Sequence, residues 1–278
     1  MPRTGRLIGC VAAEGPPLDY GFRWHDSEIP IGKDLIAVEK AILECAYLGV
    51  DSIWVTCPAR LAIILRHRIG DAVIDPMIFT VRCVIDRKMY NDHARRIPIF
   101  YIPMNYTDRG KRDSHAWAAL NSGYIASRTM KDYHRRGNID KYYLAFPYGA
   151  FPFTFLMKLR GKIWSKDRMF LSYEGQTIKD GPWLGAVIQH DDLIDMRKWV
   201  KQNEVALANE DRNLRYSSQK YGLSDIFKNL KVGDDYDAPL KWYYDISNWD
   251  GLMTFFKEQS GYKKSFSKLF RRNTIVKL

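Results

Sequence analysis

Apolar residues follow two rhythms along this chain. Leu7-Ile8-Gly9-Cys10-Val11-Ala12-Ala13 and Asp51-Ser52-Ile53-Trp54-Val55-Thr56-Cys57 are short, nearly unbroken apolar runs, as expected of strands buried on both faces. Between them, Leu35, Val38, Ile42, Cys45 and Ala46 recur at spacings of three and four and stop at Gly49, which predicts a helix over 34–48 with a glycine at its end. The same reading predicts a helix over 59–68, a strand over 98–103, a helix over 114–128 and a strand over 142–146. Glycine-rich turns then separate two antiparallel strands within 169–189, and a helix follows over 191–208. Residues 234–239 read as a loop, 241–246 as a strand and 250–256 as a helix. Alternating strands and helices predict an α/β fold: a mostly parallel, Rossmann-like sheet flanked by helices, with a small antiparallel insertion. Ligands of such sheets bind beyond the carboxyl ends of the strands.

Composition adds a charge asymmetry. The 278 residues carry a formal net charge of +11. From Phe256 onward, Lys257, Lys263, Lys264, Lys268, Arg271, Arg272 and Lys277 stand against Glu258 alone. The expected organisation is therefore a single domain over 1–255 and a basic, aromatic C-terminal tail or helix over 256–278. Interleaved bases and aromatics permit contact with a nucleic acid; equally, the aromatics can pack on the body while the lysines remain in water. No apolar run approaches the ~20 residues of a membrane span, and the first residues lack a leader pattern, so a cytoplasmic protein without a membrane span is expected. Cys10, Cys45, Cys57 and Cys83 lie in apolar segments without a CxxC pair and read as reduced core residues. The six histidines show no metal-ligand spacing, and GxSxG and GxxxxGK[ST] motifs are absent.

Four short segments carry a resemblance. Ile29-Pro30-Ile31-Gly32-Lys33-Asp34-Leu35-Ile36, followed by Leu48-Gly49-Val50-Asp51-Ser52-Ile53-Trp54-Val55, is similar to the "PVGGKPLI … aGv..i.vv" phrases of the sugar-phosphate nucleotidyltransferases. Asp113-Ser114-His115-Ala116-Trp117-Ala118-Ala119-Leu120 resembles the small-residue turn and helix start that grips the base in that family, and it reads equally as an ordinary N-cap. Trp242-Tyr243-Tyr244-Asp245-Ile246 is similar to the family's late "W.DIgT" phrase. The resemblance implies a nucleotidyltransferase-like (GT-A-like) fold, divergent in the manner of a phage-encoded member, acting in the host cytoplasm if viral. It also implies a nucleoside triphosphate or nucleotide sugar and a sugar phosphate as partners, with Mg2+ as cofactor. Arg23 and Lys33 would neutralise phosphate as catalytic residues, Gly15, Ser114 and His115 would hold the nucleotide, and Asp245 would hold the metal.

The chain departs from the family at three places. Ala13-Glu14-Gly15-Pro16-Pro17 replaces the amide-rich phosphate loop, and its two prolines remove N–H donors. No lysine occurs among Trp24-His25-Asp26-Ser27-Glu28, where the family has its catalytic one. The strand over 142–146 ends in Pro147-Tyr148-Gly149 without a carboxylate. Two further readings follow: a nucleotide-sugar-dependent glycosyltransferase, and a catalytically silent descendant that binds nucleic acid or a protein assembly.

Overall fold

The structure is a computed structural model that describes residues 5–79, 95–133, 139–207, 215–216, 220–231, 233–266 and 269–270. Strand β1 (Leu7–Ala12) lies at the centre of the main sheet. A long loop then leads to a hairpin, β2 (Pro30–Gly32) and β3 (Leu35–Ile36), and directly into helix α1 (Ala37–Leu48). Next come β4 (Ser52–Thr56), α2 (Ala59–Ile69), β5 (Ala72–Ile74), β6 (Arg96–Ile102) and α3 (His115–Tyr133). The second half holds β7 (Lys141–Ala145), β8 (Gly149–Ala150), β9 (Arg168–Ser172), β10 (Ala186–Gln189) and α4 (His190–Gln202). After a small hairpin, β11 (Ala206–Leu207) and β12 (Arg215–Tyr216), follow α5 (Leu223–Phe227), β13 (Asp235–Pro239), β14 (Tyr244–Asp245) and α6 (Trp249–Gln259).

The main sheet runs β13-β9-β10-β7-β1-β4-β6-β5. All its neighbours pair in parallel except around β10 and at edge strand β5, so the expected parallel sheet with an antiparallel insertion is what forms. Every residue of β1, β4 and β7 is buried, because helices cover both faces. One apolar layer sets α1 against the sheet, and the other sets α3, α4 and α5 against the opposite face. Gly49 ends α1 in the left-handed region at φ 79°, which an L side chain there would strain. Cys10, Cys45 and Cys57 are buried free thiols, while Cys83 lies outside the described residues.

Four readings need correction. Residues 234–239, read as a loop, form β13, a parallel edge strand beside β9; its Asp and Pro content suits an edge but hides a strand. The strand expected over 241–246 shortens to β14, which pairs with β8 outside the main sheet. The helix expected over 34–48 begins only at Ala37, because Leu35 and Ile36 close the β2–β3 hairpin. The helix expected to reach residue 208 stops at Gln202. Residues 72–74 also form a strand that the apolar pattern did not reveal, being only three residues long.

Beyond α6 the chain crosses the body as a strap. The N–H of Tyr262 donates to the Ile31 carbonyl at 3.0 Å, and its hydroxyl donates to the Phe151 carbonyl at 2.7 Å. Phe266, Leu269 and Phe270 are buried against the α1 layer, and Phe270 bridges to Val73 on the sheet edge. Lys263 and Lys264 point to solvent from this strap.

Candidate active-site cleft

The chain leaves β1 for β4 on one side and returns to β7 on the other, so the carboxyl end of β1 marks a topological switch point. Ala13 extends the ladder there by donating its N–H to the Thr56 carbonyl at 2.9 Å. Gly15 then passes against the first residue of α3. A Cβ at Gly15 would stand 2.2 Å from Nδ1 of His115, so only glycine lets the loop approach the ring this closely. Ser114 caps α3, its Oγ accepting the Trp117 N–H at 3.2 Å. The three residues proposed to hold a nucleotide are thus brought together by one loop and one helix start.

His115 is only 7% exposed. Its ring meets Tyr148 edge-on at 5.1 Å and Trp183 at 5.2 Å, and these two meet each other at 5.3 Å. Burial drives the imidazole pKa down to about 4; the Glu14 and Pro16 carbonyls facing the ring oppose this without overcoming it, and nearby His25 adds to the fall. The ring is therefore neutral near pH 7, and neither nitrogen has a hydrogen-bond partner of good geometry. Glu14 stands at the head of the same loop, and its Oε2 accepts the Met104 N–H at 3.1 Å. Burial raises the Glu14 pKa, against the lowering effect of that bond and of the Arg109 charge.

Asp245 joins the cleft through pairing of β14 with β8, where it lies opposite Gly149. Its Oδ1 accepts the Ser247 N–H at 2.8 Å, the geometry of an Asx turn. Its charge adds to burial in raising the Tyr20 and Tyr243 pKa values. Arg23 is exposed on the β1 loop, between the stacked rings of Phe22 and Trp24 on either side in sequence. Lys33 is exposed on the β2–β3 turn, where its own N–H donates to the Tyr262 carbonyl at 2.9 Å. No described contact links Lys33 to His115. Among the described residues no three His, Cys, Asp or Glu side chains gather as a metal site. Asp245, one carboxylate already engaged in a turn, is by itself a poor fit for a resident Mg2+.

Sequence reasoning missed several residues here. Tyr148 and Trp183 form the wall against His115, yet in sequence they look like ordinary core aromatics. Arg109 supplies a cation facing Glu14. Lys40 is fully buried on α1, 2.5 Å from Glu44, and its ammonium donates to the Phe146 carbonyl at 3.0 Å and to that of Gly149. Glu44 in turn accepts from the Tyr143 hydroxyl at 2.9 Å. This buried set fixes the turn that carries Tyr148. Its one visible signal is a Lys–Glu pair at i,i+4 inside a mostly apolar helix.

The fold is shared with solved structures of sugar-phosphate nucleotidyltransferases. Among solved structures, the chain is similar to a protein assigned as a glucose-1-phosphate thymidylyltransferase from Bacillus anthracis, bound to sucrose: TM-score 0.52 and 10% identity, over 95% of this chain and 98% of that one. It is also similar to Rv0371c from Mycobacterium tuberculosis, at TM-score 0.51 and 8% identity over 92% and 100% of the two chains. A UDP-glucose pyrophosphorylase from Acinetobacter baumanii gives TM-score 0.50 and 9% identity over 90% and 92%. At these identities the likeness is one of fold. No protein-family model and no curated protein matches the sequence. No helix among the described residues is long and apolar enough to cross a membrane.

Proposed function

We propose that the cleft at the carboxyl end of β1 binds a nucleoside triphosphate or nucleotide sugar and serves transfer of a nucleotidyl group to a sugar phosphate. The observation that carries this reading is the contact of Gly15 with His115 at the switch point of a nucleotidyltransferase fold. Small residues and a helix start at that point let a base approach backbone, and the neutral, buried ring of His115 backs the loop that a base would lie against. Attack on an α-phosphorus asks chiefly for positioning and charge neutralisation. Arg23, on the same long loop, and Arg109, whose charge acts on Glu14, are the cations that would meet the phosphates. Mg2+ would arrive with the substrate phosphates, with Asp245 adding one carboxylate.

One observation favours the second reading, a silent descendant that binds without reacting. Glu14 presents a carboxylate where the family's loop presents amides, and its bond to Met104 N–H fixes it there.

Calorimetric titration with nucleoside triphosphates and nucleotide sugars, with and without Mg2+, tests the proposal. Binding is expected with Mg2+ and is expected to weaken at least tenfold in Asp245→Ala. Absence of binding to every nucleotide by the folded protein overturns it. Binding without release of pyrophosphate in the presence of sugar phosphates favours the silent descendant.

A further inference from the structure

Three other arginines that are buried or nearly so among the described residues are each held by carboxylates. Arg168 meets Asp192 through two bonds of 2.6 and 2.7 Å, together with Asp235 at 3.2 Å and the Lys231 carbonyl at 2.8 Å. Arg160 meets Asp75 at 2.7 Å and the carbonyls of Ala46 and Tyr47 at 2.8 Å. Arg112 is bonded to Asp108 at 2.7 Å and to Glu204 at 2.9 Å.

Arg197, on α4, differs. It is 7% exposed, and its sole hydrogen bond among the described residues is a long one, 3.3 Å, from Nη1 to the amide oxygen of Asn121. The guanidinium lies between the faces of Trp117 and Tyr124, 4.3 and 4.1 Å from their centroids. These aromatics and Asn121 share one face of α3 through the helical spacing 117, 121, 124. The two ring faces offset part of the desolvation but accept no N–H in the guanidinium plane.

The carboxylates nearby are already committed. Asp108 and Glu204 hold Arg112, and Glu204 also pairs with Lys111 at 2.7 Å. Two donors of the cluster, Asn121 Nδ2 and Trp117 Nε1, are buried without any acceptor, while the guanidinium beside them makes only the one long bond. A buried donor left unmatched is destabilising, and a buried charge without a countercharge more so. Water satisfies donors but brings no countercharge. Burial accordingly pushes the Arg197 pKa down to about 10, with Arg112 adding to the fall and Asp108 and Tyr124 opposing it, whereas Arg168 is shifted upward by its carboxylates.

We propose that Arg197, Asn121 and Trp117, between α3 and α4, form a binding site for a small oxyanion of the phosphate or sulfate class. A planar guanidinium fork matches two oxygens of such an anion, and the Asn121 amide and Trp117 indole N–H groups supply further donors. The site lies behind the proposed nucleotide cleft and one helical turn from it, since the Trp117 N–H is held by Ser114 Oγ. Its existence does not depend on the activity proposed above.

Thermal unfolding of the full chain in phosphate, in sulfate and in chloride at matched ionic strength tests it. Phosphate or sulfate is expected to raise Tm saturably, by about 5 °C at a hundredfold excess over Kd, and chloride is not. Asn121→Asp supplies the missing carboxylate from within, so it is expected to raise Tm without added anion and to lose the response. Arg197→Lys keeps the charge without the fork and is expected to weaken the apparent affinity at least tenfold. The proposal is overturned if oxyanions do no more than chloride, or if the response persists unchanged in Asn121→Asp. It is equally overturned if His115→Phe abolishes the response while Asn121→Asp keeps it, since the anion then sits in the cleft.

Discussion

His115 concentrates the physical tension of the cleft in one side chain. Its imidazole has an ordinary pKa near ~6.5 in the unfolded chain and about 4 in the fold. The folded state therefore binds fewer protons between those values. The resulting stability is fully present above about pH 6.5 and is lost as pH falls toward 4. A shift of this size corresponds to at most about 3 kcal/mol. Urea unfolding at pH 7 and pH 4.5 is expected to show a steep loss in the parent protein and a shallower one in His115→Phe, whose ring fills the same space against Tyr148 and Trp183. Equal slopes would show that His115 is protonated without cost. Gly15, Ser114 and His115 could be singled out in sequence because a glycine and a polar helix start leave a local trace, and the fold does bring the three together. The sequence did not reveal Tyr148 or Trp183, because nothing local separates an aromatic that walls a cleft from one that fills a core.

Between elements, the tie that matters most is the one from α1 to the turn after β7. Lys40 and Glu44 are both wholly buried; burial pushes the lysine pKa down and the glutamate pKa up, while each opposes the shift of the other. Removing one partner leaves an uncompensated charge. Lys40→Met is thus expected to cost about 3–5 kcal/mol in urea unfolding, and Lys40→Met combined with Glu44→Leu considerably less. A double variant as unstable as the sum of the two singles would show that the pair does not interact. Element legibility followed length and burial. Long apolar runs such as 7–12 and 52–56 marked strands directly, whereas β13 was hidden by its acidic residues and β5 by its brevity. The Lys40–Glu44 pair looks like a solvated helix face in sequence, and only the turn at Phe146 and Gly149, a hundred residues on, buries it.

For the molecule as a whole, the strap residues 261–266 and 269–270 join regions remote in sequence: the β2–β3 hairpin, the β8 turn, α1 and the sheet edge at β5. Phe266 packs on Tyr47 and Phe153, so Phe266→Ala is expected to cost about 3 kcal/mol, read as a lower urea midpoint with an unchanged slope. An unchanged midpoint would mean that the strap rides on the surface. The charge pattern pointed to a basic tail and also left room for aromatics packing on the body; the described residues show Tyr262, Phe266, Leu269 and Phe270 doing the latter, with Lys263 and Lys264 outward.

The central position of β1 bears on how quickly this chain can fold. Just before the strand, the N–H of Arg6 donates to Asp140, 134 residues further on, and Leu7 to Val11 of β1 then pair with Lys141 to Ala145 of β7. Closing so long a loop must precede any reward from that pairing. During synthesis β1 emerges well before its partner and waits, with one edge open, until residues 141–145 have been made. Its own brevity, and the early arrival of α1 and β4 over its other edge, limit what else it can join in the interval.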